Sequence, residues 1–326
     1  LALVALAAAL AVPRAAGTAP RRDQPIQPRV LVLLFNPVIR AEGGTRLSEV
    51  CRWNDPNALT QAYIQDVREA SGGFVQYQVV ETHLVDAFPP KKDGFSYTES
   101  GYLECFRKDR GWHLPDAADY PAVFSRFDVV RRINRHEIDE VWVWAMPHAG
   151  FYESTMAGKE AYFCNSGPLT EVDSDRAFVV MGFNYAQGAG EMLENLGHRT
   201  ESIMRRVYGS WSPERTHAWN RFTLYDKVAP GDAACGNVHF APNSARDYEW
   251  GSRKPVLSSA DDWLNYPHLT GRKRLMTCAD WGNGDSRAYH KWWLSHLPRT
   301  AGRAPDGKLA NWWKYVVDFH RYEESR

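Results

Sequence analysis

The sequence predicts an α/β fold: a mainly parallel sheet with helices on both faces, plus an irregular, aromatic-rich C-terminal cap. Three observations predict it. Unbroken apolar runs recur at VLVLLF (30–35), VWVWAM (141–146) and FVVMGF (178–183), the pattern of strands buried on both faces. Stretches with apolar residues at helical spacing alternate with them, as parallel crossover units require. The last third loses that periodicity but carries many of the 13 Trp, in segments such as YHKWWLSHLPR and NWWKY.

In chain order, LALVALAAALAV is uninterrupted and apolar, and small residues follow at Ala15, Ala16 and Gly17. This is the core and cleavage region of a secretory signal, assigned to residues 1–17. It falls short of the roughly 20 apolar residues that cross a bilayer. The chain is therefore expected to be secreted, extracellular or periplasmic, with no membrane span. Residues 18–28 (TAPRRDQPIQP) read as a mobile leader. The sheet domain is placed at 29–208. Its first strand, VLVLLF, precedes a helix from about Asn57, with Ala58, Ala62, Ile64, Val67 and Ala70 apolar and Gly72-Gly73 ending it. Phe74 to Val80 is the next strand, and 83–118 reads as an irregular insertion. One helix is expected from Pro121 to Arg135, on the spacing of Val123, Phe127, Val130 and Ile133. Strands at 141–146 and 178–183 follow, then a helix at 188–208. Residues 209–326 form the cap, packed on the same domain.

With 39 basic and 39 acidic residues the net charge is zero, so electrostatic capture of nucleic acid is not expected. No phosphate loop or dinucleotide fingerprint is visible, so no nucleotide cofactor is expected, and no G-x-S-x-G elbow marks a serine hydrolase. In an oxidising compartment the five Cys suggest disulfides Cys51–Cys105 and Cys235–Cys278, with Cys164 free.

Parallel sheets bind ligands beyond the carboxyl ends of their strands. Those ends bring Asn36, His148 and Asn184 to one edge, with Glu153 just past His148 and Glu191 opening the helix after Asn184. On that helix Glu191, Glu194, His198 and Glu201 fall within an arc of about 80°. Glu194 and His198, four residues apart, suit two ligands of one metal, and His239 in CGNVHF is a candidate third. Glu191 or Glu153 would then serve as base for the attacking water, with His148 a further catalytic candidate. Without a metal, Glu153 and Glu191 could act as a carboxylate pair on a glycoside, about 5 to 10 Å apart. Against this stands the plain reading of the stripe as the solvated face of an amphipathic helix.

The segment ENLGH (194–198) resembles the H-E-x-x-H helix of zincin metallopeptidases. The resemblance implies zinc, with Glu194 at the first ligand position and His198 at the second. Asn195 stands where the family has its general-base Glu, which puts that role in doubt. More broadly, RWNDPNALTQAYIQDVREASGG, EVWVWAMPHAGFYESTMAG, MGFNYAQGAGEMLENLGHRTES, CGNVHFAPNS and LANWWKYVVDF resemble a group of secreted bacterial proteins of unassigned function. The expectation is a secreted hydrolase, metal-dependent or not, acting on extracellular peptide or glycan. The alternative is a non-catalytic glycan- or protein-binding protein that uses the aromatic cap.

Overall fold

A computed structural model describes residues 23–322; the signal region expected at 1–17 lies outside the described residues. The strands of the main sheet are β1 (Arg29–Phe35), β2 (Gln78–Val85), β3 (Glu140–Ala145), β4 (Ser154–Ala157) and β5 (Phe178–Asn184). Their order is β2-β1-β3-β5-β4, parallel except for the edge strand β4, which pairs antiparallel with β5. The α/β reading is correct, and β1, β3 and β5 are the three apolar runs. They are central because each of their faces is covered by helices, so alternation of apolar and polar residues has no use there.

Helix α1 (Pro56–Ala70) begins where Asp55 accepts a hydrogen bond from Asn57 N, and it ends before the left-handed Gly72 and Gly73. Within 83–118, expected to be irregular, lies α2 (Glu99–Lys108), capped by Thr98. The single helix expected at 121–135 is two, α3 (Tyr120–Arg126) and α4 (Val129–Asn134), parted at Asp128 with φ +54°. The break leaves the i, i+3, i+4 spacing nearly intact, so periodicity alone does not reveal it. Likewise β2 starts four residues later than the expected Phe74, because the Phe74–Gln76 stretch instead pairs with Ile26. That pairing, with Asp23 bound to Lys314 and Asn311, docks residues 23–28 on the fold, where a mobile leader was expected.

Crossovers from β1 to β2 and from β2 back past β1 to β3 run in opposite directions along the sheet. Right-handed connection therefore sends their helices to opposite faces. Trp142 of β3 meets Tyr63 of α1 edge-on at 5.1 Å on one face. On the other, Phe124 of α3 meets Phe178 of β5 at 5.7 Å.

Helix α5 (Ala189–Tyr208) lies beside α1 and carries a completely buried arginine. Arg199 Nη2 donates to Glu140 Oε1 at 2.6 Å and to Val316 O at 2.8 Å, and its Nε donates to Val316 O at 3.1 Å. Trp142 Nε1 donates to the other oxygen of Glu140 at 3.2 Å. The C-terminal region covers the same face through α6 (Ser286–Ser295) and α7 (Trp313–Val317). Its Trp219, Trp293, Trp312 and Trp313 are completely buried, and Trp312 packs against Trp219, Phe222 and Trp263 at 5.4–5.9 Å. These rings join one hydrophobic core with the sheet, so the cap is the outer layer of that core.

The disulfides Cys51–Cys105 and Cys235–Cys278 do not form; all five cysteines are thiols. Cys105 Sγ reaches Gly111 O at 3.2 Å, whereas Cys278 Sγ reaches Asn283 Oδ1 at 3.7 Å. Each of these two thiols is engaged by its own loop, and a packed core of this size needs no covalent staple. No described helix is long and apolar enough to cross a membrane.

Replacing Arg199 by Met should leave Glu140 buried without its counter-charge, at a cost of about 3–5 kcal/mol in urea unfolding. The double variant R199M/E140L should recover most of that loss; equal instability of both would show that packing, not the charge pair, holds the helix. Acid acts on the fold through a different group. Burial holds the imidazole of His290 on α6 down to about 4, against 6.5 when free. Its contribution to stability is complete above pH 6.5 and is lost as the pH falls toward 4, at up to about 1.4 kcal/mol per unit. His290→Phe should flatten that part of a stability–pH curve.

Candidate functional site

Arg199 fixes the rotation of α5 about its axis, and its neighbour His198 consequently emerges beside the loop that carries His239. Three donor atoms converge there. His198 Nε2 lies 3.1 Å from His239 Nε2, and Glu194 Oε1 lies 3.7 Å from His198 Nε2 and 3.5 Å from His239 Nε2. The circle through these atoms has a radius of about 2.0 Å, the length of a zinc bond to imidazole nitrogen or carboxylate oxygen. All three residues are half-buried.

Each imidazole is held from behind by a carboxylate. His198 Nδ1 faces Glu201 Oε2 at 3.0 Å, and His239 Nδ1 faces Asp247 Oδ1 at 3.1 Å. A carboxylate at Nδ1 fixes the Nδ1–H tautomer, which leaves lone pairs on both Nε2 atoms. Those lone pairs point at one another across 3.1 Å and repel unless a positive charge lies between them. Burial opposes charging of His198, but Glu194 and Glu201 outweigh it and lift its pKa to about 10. Burial also raises the Glu194 carboxyl, yet the two imidazoles and the Tyr248 hydroxyl hold it well below the usual carboxylate range. The cluster thus attracts one positive charge at its centre, as a proton or as a metal cation.

The remaining expected residues have separate placements. Glu201, a polar site candidate on the helix face, is buried and accepts from Val238 N at 2.9 Å as well as holding His198. Glu191 closes a capping box, its Oε2 accepting from Gly188 N at 3.0 Å, because it occupies the third position of the helix. Asn195 Nδ2 donates to Gly182 O at 3.0 Å, which turns this residue toward the strand end. Asn36 is buried and bonded to Ser48 through both side-chain atoms.

A polar cavity of about 240 Å³ lies at the carboxyl edge of the sheet and is lined by Asp116, His148, Glu153, Asn184, Gln187 and Asn195. Of these, His148, Glu153 and Asn184 are the residues that strand-end position brings to this edge. Glu153 links cavity and cluster: it lines the cavity, its charge acts on both His198 and Tyr248, and Asn165 Nδ2 holds its Oε2 at 2.7 Å. His148, with φ +59°, stacks on Trp112 at 3.9 Å and has Asp116 at 3.5 Å from its Nδ1. Asp116 is in turn held by the buried Lys91. Asp116, Lys91, Asp247 and Tyr248 carry no spacing signal that could have singled them out, since each lies in a loop.

Close approach of α5 to the His239 loop depends on Gly197. A Cβ there would meet Val238 Cγ2 at 2.5 Å. Gly197→Ala should destabilise the protein by about 1–3 kcal/mol. It should also separate His198 from His239, which histidine ring resonances in NMR would report as loss of their mutual contact; unchanged stability and unchanged resonances would refute the tight approach. No family model, curated protein or solved structure matches the chain.

Proposed function

We propose that this chain is an exported, metal-dependent hydrolase acting on peptide or glycan, with a zinc-type cation held by Glu194, His198 and His239. The observation that carries this reading is the triangle of donor atoms with sides of 3.1, 3.5 and 3.7 Å, each imidazole backed by its own carboxylate. Carboxylate-backed histidines are the usual ligands of catalytic zinc, and three protein ligands leave a position open for chemistry. A bound cation would supply Lewis acidity toward the scissile group and toward water. Glu153, which lines the cavity and whose charge acts on His198, would take and return the proton. His148, oriented by Asp116, would hold the substrate portion that enters the cavity. Glu191 is already used at the helix terminus, so the paired-carboxylate glycosidase reading loses one of its two members. Burial of Trp293, Trp312 and Trp313 likewise removes most of the aromatic platform a binding protein would need. The apolar run at 1–12 supports export.

Metal analysis of the purified chain after zinc loading should return one equivalent, lost in Glu194→Ala and His198→Ala. Glu201→Gln and Asp247→Asn should keep the site but weaken affinity by about 10–100-fold. Glu153→Gln should bind zinc normally and lose hydrolysis across a panel of casein, peptidoglycan and glycan substrates. A wild-type chain that takes up no stoichiometric metal would sink the proposal.

A further inference from the structure

The cluster contains a fourth donor that the helix face does not supply. Tyr248 Oη lies 3.0 Å from Glu194 Oε1 and 3.0 Å from His239 Nε2. Both contacts are close to the separation of about 3.3 Å between neighbouring ligands of a tetrahedral ion with 2.0 Å bonds. A cation that displaces the shared proton and the phenol hydrogen would meet four lone pairs, from the carboxylate oxygen, the two Nε2 atoms and the phenol oxygen. An oxygen and nitrogen set of that kind is one that zinc or copper binds.

The backbone is arranged to hold the ring in place. Tyr248 sits at φ +57°, a conformation rare for a bulky side chain. Its amide donates to His239 O at 3.1 Å, and its ring lies against the His239 imidazole at 4.4 Å. Its neighbour Asp247 takes the opposite side of that imidazole. The dipeptide Asp247-Tyr248 therefore grips His239 at both nitrogens. The Tyr248 side chain is nevertheless half exposed, on a loop outside the core, which leaves it room to swing away.

We propose that Tyr248 is a fourth, displaceable oxygen ligand of the cation held by Glu194, His198 and His239, closing the open position until a substrate oxygen takes its place. This rests on the metal reading above, and the test separates the two. Full-length chain, stripped with chelator and loaded with one equivalent of Cu(II), should show the intense visible charge-transfer absorption of a copper-bound phenolate. Tyr248→Phe should bind the same one equivalent of copper, measured by elemental analysis, and lose the band. Acetohydroxamate, a small bidentate oxygen donor, should abolish the band in the wild type without releasing copper. If copper binds but the wild type lacks the band, Tyr248 is not a ligand, while the three-residue site stands. A band that persists while acetohydroxamate is bound to the copper makes Tyr248 a fixed ligand and overturns its displacement. Absence of any bound copper or zinc in the wild type overturns the metal site itself.

Discussion

The buried ion pair between Arg199 and Glu140 is the constraint on which the geometry of this protein turns. Glu140 is the first residue of a central strand, and Arg199 lies midway along the longest described helix. Two opposite charges in an apolar interior tolerate little displacement, since each must keep its partner or face a large desolvation cost. The guanidinium also binds Val316 O, so one side chain ties together the sheet, the helix and the C-terminal layer. With the helix held at that azimuth, the residue before Arg199 must leave the core along the helix's outer flank. That residue is His198.

From this point the site is assembled by short-range contacts. Gly197 lets Val238 come close, and Glu201 captures the Val238 amide while also holding His198 Nδ1. Glu201 therefore positions both histidines, one through its ring and one through the adjoining backbone. A carboxylate that reads in the sequence as one more polar residue on a helix face acts as the joint between helix and loop. Its low exposure follows from that double use, because a buried carboxylate must have its lone pairs satisfied.

Much of the fold was legible because the central strands are covered on both sides, and an apolar run of six residues bounded by polar ones fits a doubly buried strand. Less legible were features set by a single residue's backbone conformation. Asp128 breaks one apparent helix in two, and the start of β2 shifts because Ile26 takes the partner place beside Val75. The disulfides were inferred from compartment and count. Thiol partners, however, depend on where side chains point, and here Cys105 and Cys278 face their own loops while Cys164 and Cys235 are buried apart.

The sequence by itself determined the α/β class, the strand ends that line the cavity, and the presence of Glu194 and His198 on one face of a helix. Periods of two and 3.6 residues are local properties, so local residue order is enough to specify them. Only the tertiary structure decided that His239 belongs with that face, that Glu201 and Asp247 stand behind the two imidazoles, and that Tyr248 completes the group. The contacts that bring His239 and Tyr248 into the group join residues 9 to 54 positions apart. No periodicity links them; they are set by the buried charge pair and the glycine contact that bring helix and loop together.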